Sequence, residues 1–287
     1  MEINGKTRTC GLIGNPVEHT LSPMIHNTLA ELLGHNLVYV PFPVKAGQVA
    51  QAVSGADALN LLGLNVTVPY KSAVIESLKE IDGLAGNIGA VNTLVRTAGG
   101  YKGYNTDMEG LYRAMVSEGI SIAGETVILL GAGGAARAVA YLCAVKGAEQ
   151  VYMLNRTLDK AQAVAGEVNR AMGREVICPM ALEDYTMLPA GKYLTIQGTS
   201  VGLAPHAEEA VIMDDAFYEK VSTGFDLIYR PWETKFMQLT RAHGGQAYNG
   251  LKMLLYQGII AYELWNDVKI SEEEAQVVYE RLKGQFI

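Results

Sequence analysis

Gly131-Ala132-Gly133-Gly134-Ala135-Ala136 stands between the apolar run Thr126–Leu130 and a helical-period stretch over 137–146. A glycine turn there lets backbone N–H groups close on a pyrophosphate at the helix N-terminus, and Ala136 fills the third, helix-packing position of the G-x-G-x-x-G/A pattern. Glycine turns also serve plain strand-to-helix packing, but placement between a strong strand and a strong helix favours nucleotide binding. The end of the next strand chooses the cofactor. An NAD site would carry Asp or Glu there to bond the ribose 2′-hydroxyl, whereas this chain has Asn155-Arg156-Thr157, with Lys160 one turn later. A guanidinium and a hydroxyl suit a 2′-phosphate, so NADP is expected over NAD.

A second set of polar residues lies in the N-terminal half. Thr20-Leu21-Ser22-Pro23 opens a helix, with Ser22 placed as N-cap and Pro23 as the first helical residue. A plain helix start explains both, yet the same geometry aims free N–H groups and two hydroxyls at one spot, a natural carboxylate seat. Asn65-Val66-Thr67-Val68-Pro69-Tyr70-Lys71 ends a strand and places a lysine at the start of the next helix. Gly89-Ala90-Val91-Asn92-Thr93 and Gly103-Tyr104-Asn105-Thr106-Asp107 bring further amides, hydroxyls and a carboxylate to strand ends. Alone, a lysine is usually a solvated surface residue and an aspartate a helix cap.

Short apolar runs alternating with helix-period segments must position these groups, which is the signature of β–α units with parallel sheets. Strands are predicted at 9–13, 37–42 and 63–68, with helices at 23–33, 47–59 and 71–81. Segments 91–96 and 101–105 flank Thr97-Ala98-Gly99-Gly100 as a hairpin. A second series starts with a helix at Asp107, followed by strands at 126–130, 150–154, 175–178 and 193–197 with helices between them. A further strand is predicted at 224–228, and the chain from Gly250 onward is read as helical.

With 287 residues, the chain suits two modest domains better than one. Hydrophobic residues at 49% and charged residues at 18% supply packed cores and argue against disorder. A net charge of −7 leaves no basic footprint for nucleic acid. Cys10, Cys143 and Cys178 are far apart and form no metal-ligand spacing; buried structural thiols in a reducing compartment are expected, with no metal. No apolar run reaches membrane-spanning length and the N-terminus has no apolar leader core, so the expected location is the cytoplasm.

Taken together, T-L-S-P-M-I-H-N, N-V-T-V-P-Y-K, G-A-V-N-T, N-T-D, G-A-G-G-A-A-R, N-R-T and a late G-L-K-M-L-L-Y-Q resemble the shikimate dehydrogenase family, in the family's order, from about Gly11 to Gln257. The resemblance implies an N-terminal α/β substrate domain over 1–106 and 250–287, and a Rossmann-type NADP domain over 107–249. It implies a cleft between them and C-terminal helices returning to the first domain. Thr20 and Ser22 would hold the substrate carboxylate; Thr67, Asn92 and Gln257 would bond ring hydroxyls, with Tyr229 nearby; Lys71 and Asp107 would form the catalytic pair. Gly131, Ala132, Gly133, Gly134, Ala135, Asn155, Arg156, Thr157, Lys160 and Thr199 would hold NADP, with Leu227 and Gly250 at the nicotinamide end. The implied activity is reversible reduction of 3-dehydroshikimate by a monomer or homodimer.

Two positions depart from the family pattern. Thr20 stands where serine is usual, and Gln197-Gly198-Thr199-Ser200 replaces N-A-T-S, which brings a quinate/shikimate dehydrogenase using NAD or NADP into view as an alternative. Oxidising a secondary alcohol needs a proton acceptor. Lys71, oriented by Asp107, is assigned that part, and His26 is read as a packing or hydrogen-bonding residue. A catalytically silent cofactor sensor is the rival from another class, and retention of Lys71 and Asp107 counts against it.

Overall fold

The computed structural model describes residues 2–286, which divide into two compact units, 2–110 with 254–286 and 111–253. The first unit is built on a mixed six-stranded sheet. Its elements are β1 (Arg8–Gly14), α1 (Ser22–Leu32), β2 (Leu37–Pro43), α2 (Val49–Ala58), β3 (Gly63–Val66), β4 (Glu80–Ile81), α3 (Gly83–Ile88), β5 (Thr93–Thr97), β6 (Gly100–Tyr104) and the start of α4 (Asp107–Ser117). The strand order is β2-β1-β3-β5-β6-β4. β1 runs parallel to β2 and β3, and β5 runs antiparallel to both β3 and β6. The predicted hairpin is this β5–β6 pair.

Segment 71–81 is not the predicted helix. Only Ala73–Ser77 forms a 3₁₀ turn, and the chain then extends into β4 beside β6. Its apolar spacing is helical, but Lys79 N–H donates to Tyr101 O and Asp82 N–H to Gly103 O. An open sheet edge offering carbonyls captures the segment as a strand. β3 also stops at Val66 rather than at residue 68, because Thr67 begins the turn that carries Lys71.

The second unit holds β7 (Thr126–Leu130), α5 (Gly134–Val145), β8 (Gln150–Asn155), α6 (Leu158–Met172), β9 (Ile177–Ala181), β10 (Tyr193–Gln197), α7 (Asp215–Tyr218), β11 (Val221–Asp226), α8 (Lys235–Ala242) and β12 (Gln246–Tyr248). The strand order β12-β11-β10-β7-β8-β9 is entirely parallel. This is the doubly wound dinucleotide-binding order, with its topological switch between β7 and β10. β7 and β10 lie inside the sheet and are buried along nearly their whole length. Continuous apolar runs such as Val127-Ile128-Leu129-Leu130 are what that environment selects. α7, α8 and β12 were not anticipated; the segment predicted as a helix after β9 is only a 3₁₀ stretch, Leu182–Met187.

The chain closes with α9 (Leu251–Asn266) and α10 (Glu272–Lys283). From Leu254 onward they belong to the first unit. Trp265 on α9 donates its indole N–H to Leu94 O at 2.9 Å. Gly63 makes room for that ring, since a Cβ there would lie 2.0 Å from the indole nitrogen. α10 starts with a Ser271/Glu274 capping box, a feature that stabilises a helix start by about 1 kcal/mol. Cys10 and Cys143 are the buried thiols expected, whereas Cys178 is only half-buried. Among the described residues no helix is long and apolar enough to cross a membrane.

Candidate active site and dinucleotide groove

In the first unit, Lys71 and Asp107 come together. Lys71 lies on the turn after β3, Asp107 is the first residue of α4, and Lys71 Nζ donates to Asp107 Oδ2 at 2.6 Å. Asp107 Oδ1 accepts from Asn92 Nδ2 at 2.9 Å, so a different donor engages each carboxylate oxygen. Asn92 is anchored in turn, because the Thr106 backbone N–H donates to its Oδ1 at 2.8 Å. The two side chains keep 35% and 23% of their surface open, enough for a small substrate to reach the pair.

Thr20 and Ser22 also meet, but not as first read. Ser22 does not cap α1 with its side chain; Leu21 occupies the cap position without a side-chain bond. Instead Thr20 Oγ1 accepts from Ser22 N–H at 3.2 Å and donates to Ser22 Oγ at 3.1 Å. Proline as the second helical residue shifts the start of α1 by one position, and the two hydroxyls form a pair at its N-terminus. Thr67 packs against the end of β1, where a Cβ on Gly14 would lie 2.3 Å from its methyl group. Gln257 lies on α9 with its amide donating to Leu254 O at 2.9 Å. Its backbone abuts Gly110, one turn beyond Asp107 on α4, where a Cβ would fall 2.7 Å from Gln257 N. Gly110 thus admits α9 beside the Lys71–Asp107 pair, a role no sequence signal exposed.

His26 is fully buried, stacks on Tyr39 with ring centroids 4.2 Å apart and bonds Asn65 Oδ1 through Nε2 at 3.1 Å. Burial drives its imidazole down to about 3, so it is neutral and packed, in line with its reading as a non-catalytic residue.

In the second unit, a groove of about 700 Å³ opens at the carboxyl ends of the strands around the β7/β10 switch. Gly131, Ala132, Gly133, Gly134, Ala135, Asn155, Arg156, Thr199 and Leu227 line it. Gly131 has φ +110° and a Cβ there would lie 2.7 Å from the Thr199 methyl, so only glycine fits the turn. Gly133 caps α5 with no side-chain bond, which leaves the first helical N–H groups for a ligand. A Cβ on Gly133 or Gly134 would meet open space, as a cradle for phosphates requires. Arg156 is exposed at the rim, and no carboxylate ends β8. These residues fit a dinucleotide with a phosphorylated ribose.

Thr157, Lys160 and Gly250 do not line the groove. Thr157 caps α6, with its carbonyl accepting from Asn155 Nδ2 at 2.8 Å, and Lys160 is exposed on that helix. Gly250 packs on the Leu227 backbone, where a Cβ would lie 2.1 Å from the Leu227 carbonyl oxygen. Tyr229, assigned beside the substrate by resemblance, belongs to this second unit, and burial raises its phenol.

Sequence reading also missed Asp226. It is fully buried at the end of β11 and accepts from Thr234 Oγ1 at 2.6 Å, Ile228 N–H at 2.9 Å and Gln197 Nε2 at 3.2 Å. Burial raises its carboxyl to about 6. Gln197 also donates to Val201 O and accepts from Thr199 N–H, so the departure from the family's N-A-T-S pattern ties two loop residues of the groove, Thr199 and Val201, to Asp226 of β11.

Residues 12–94 match the family description "Shikimate dehydrogenase substrate binding domain" and residues 114–183 match "Shikimate / quinate 5-dehydrogenase". The shikimate dehydrogenase (NADP(+)) of Carboxydothermus hydrogenoformans is 39% identical over 268 residues, covering 93% of this chain and 95% of that protein. A crystal structure of a shikimate dehydrogenase in complex with NADP+ superposes with a TM-score of 0.87 at 35% identity, covering 98% and 97% of the two chains. The shikimate 5-dehydrogenase of Listeria monocytogenes, solved with shikimate and NAD, gives 0.89 at 30% identity and covers 98% of each. A doubly wound sheet with its glycine turn, a mixed sheet with a lysine–aspartate pair and identity across nine-tenths of the sequence converge, and this chain belongs to the shikimate dehydrogenase family.

Proposed function

We propose that this protein catalyses the reversible NADPH-dependent reduction of 3-dehydroshikimate to shikimate, a step of aromatic amino acid biosynthesis, in the cytoplasm as a monomer or homodimer. The observation that carries the reading is the Lys71–Asp107 ion pair, with Asn92 holding the second carboxylate oxygen. NADP supplies the hydride acceptor or donor. Thr20 and Ser22 take the ring carboxylate on their hydroxyls, while Thr67, Asn92 and Gln257 bond the ring hydroxyls, with Tyr229 nearby. In the oxidising direction the C–H bond of the carbinol breaks with its electron pair leaving as hydride, and the Lys71 amine takes the hydroxyl proton. In the reducing direction the Lys71 ammonium returns that proton to the developing alkoxide and stabilises its charge. Asp107 keeps the Lys71 nitrogen in place throughout. Gly131 to Ala135 would receive the pyrophosphate, and Arg156 with Asn155 the 2′-phosphate; Thr199 and Leu227 would shape the nicotinamide end, with Gly250 packed behind Leu227.

The test is a steady-state assay following reduced nicotinamide absorbance with shikimate and quinate, each with NADP and NAD. A kcat/KM highest for shikimate with NADP is expected. Preference for quinate would reassign the substrate, and no turnover of either acid would end the enzymatic reading. Light scattering on the purified protein reports the oligomeric state.

A further inference from the structure

We propose that a one-way chain of hydrogen bonds from Tyr39 through Asn65, Thr93 and Asn92 ends on the Asp107 carboxylate, making Tyr39 and Thr93 positioning residues for the Lys71–Asp107 pair; the role of that pair rests on the functional reading above. Main-chain groups set the direction. Thr106 N–H donates to Asn92 Oδ1, so the Asn92 amide nitrogen must face Asp107. Asn65 Nδ2 donates to the Asn92 carbonyl at 3.3 Å, so Asn65 Oδ1 must face Tyr39 and His26. Between the two amides, Thr93 Oγ1 accepts from Asn65 Nδ2 at 3.1 Å and donates to Asn92 Oδ1 at 3.0 Å. At the other end the Tyr39 hydroxyl donates to Asn65 Oδ1 at 2.8 Å. The order is Tyr39, Asn65, Thr93, Asn92, Asp107, each giving its hydrogen to the next.

Tyr39, Asn65, Asn92 and Thr93 are all buried. A fully satisfied buried network holds its members rigidly, and a gap in it leaves polar atoms stranded.

The experiment compares Tyr39→Phe, Thr93→Val, the double variant and Thr93→Ser with the unmodified protein. It measures kcat and KM for shikimate and the side-chain amide signals of Asn92 in ¹⁵N NMR spectra. Thr93→Val is expected to lower kcat about tenfold while KM moves by about threefold or less, and Thr93→Ser to restore kcat to within about twofold. Because the links are in series, the double variant should be no slower than Thr93→Val alone. The Asn92 signals should move in Thr93→Val and return in Thr93→Ser, whichever acid the enzyme turns over, so a wrong substrate assignment is told apart from a broken chain. Losses that add in the double variant, or Asn92 signals unmoved in folded Thr93→Val, would overturn the proposal. Should Thr93→Val fail to fold, Tyr39→Phe keeps the ring that stacks on His26; unchanged kcat and unchanged Asn92 signals there would overturn it equally.

Discussion

Replacing Lys71 by alanine separates catalysis from stability. The Lys71 side chain is about one-third exposed and its ion pair is partly solvated, so its loss should cost about 0–1 kcal/mol of stability. In a chain of this size that is a fall in Tm of about 4 °C or less. Asp107 is not orphaned by the change, because Asn92 Nδ2 still holds Oδ1 and water can reach Oδ2. On the proposed role, the chemical step loses its proton donor and acceptor. Such groups are worth about 10²–10⁴ in rate, equivalent to about 3–5 kcal/mol of activation free energy. Steady-state kinetics in both directions should therefore show kcat reduced by that factor with KM for shikimate changed far less, alongside a nearly unmoved melting curve. A kcat within a few-fold of the unmodified protein would refute the proton-transfer role. A large loss of Tm would show that the pair is mainly a structural tie.

Arg156→Ala should lower kcat/KM for NADP by about 10- to 100-fold, the worth of a charge-assisted bond to phosphate, and leave that for NAD nearly unchanged; equal losses with both cofactors would disprove phosphate recognition at Arg156. Gly110→Ala drives a Cβ into the backbone of Gln257, so urea unfolding should report a loss of about 1–3 kcal/mol together with a raised KM for shikimate. A neutral effect on both would show that α4 and α9 can separate freely. His26 titrates at about 3 when folded and near 6.5 when unfolded, so the unfolded chain binds the extra proton between those values. The stability tied to its neutral form is complete above 6.5 and drains away as pH falls toward 3. Between about pH 7 and pH 5 the unmodified protein should lose about 1–2 kcal/mol more than His26→Gln does in urea titrations. Parallel pH curves would contradict the burial of a neutral imidazole.

Much of the fold was legible before any coordinate. β7 and β10 run over the residues expected, because strands buried on both faces must be continuously apolar and the chain around them is not. The glycine turn was legible for the same kind of reason: only glycine tolerates φ +110° at Gly131 against the Thr199 methyl. Segment 71–81 was misread because a helical spacing of apolar residues says nothing of the open edge of β6 that captures it, and that edge exists only once the sheet has formed. Lys71, Asp107, Asn92, Thr20 and Ser22 were named from strings of residues whose order matches a family. Which atoms meet was beyond sequence, since Tyr39, Asn65 and Thr93 are joined by hydrogen bonds spanning 26 and 28 positions. Local residue types dictate strands, turns and helix starts because those depend on neighbours a few positions away. The direction of the buried hydrogen bonds, the closeness of α9 to Gly110 and the anchoring of the groove loops by Asp226 depend on groups that only folding brings together, and tertiary structure alone decides them.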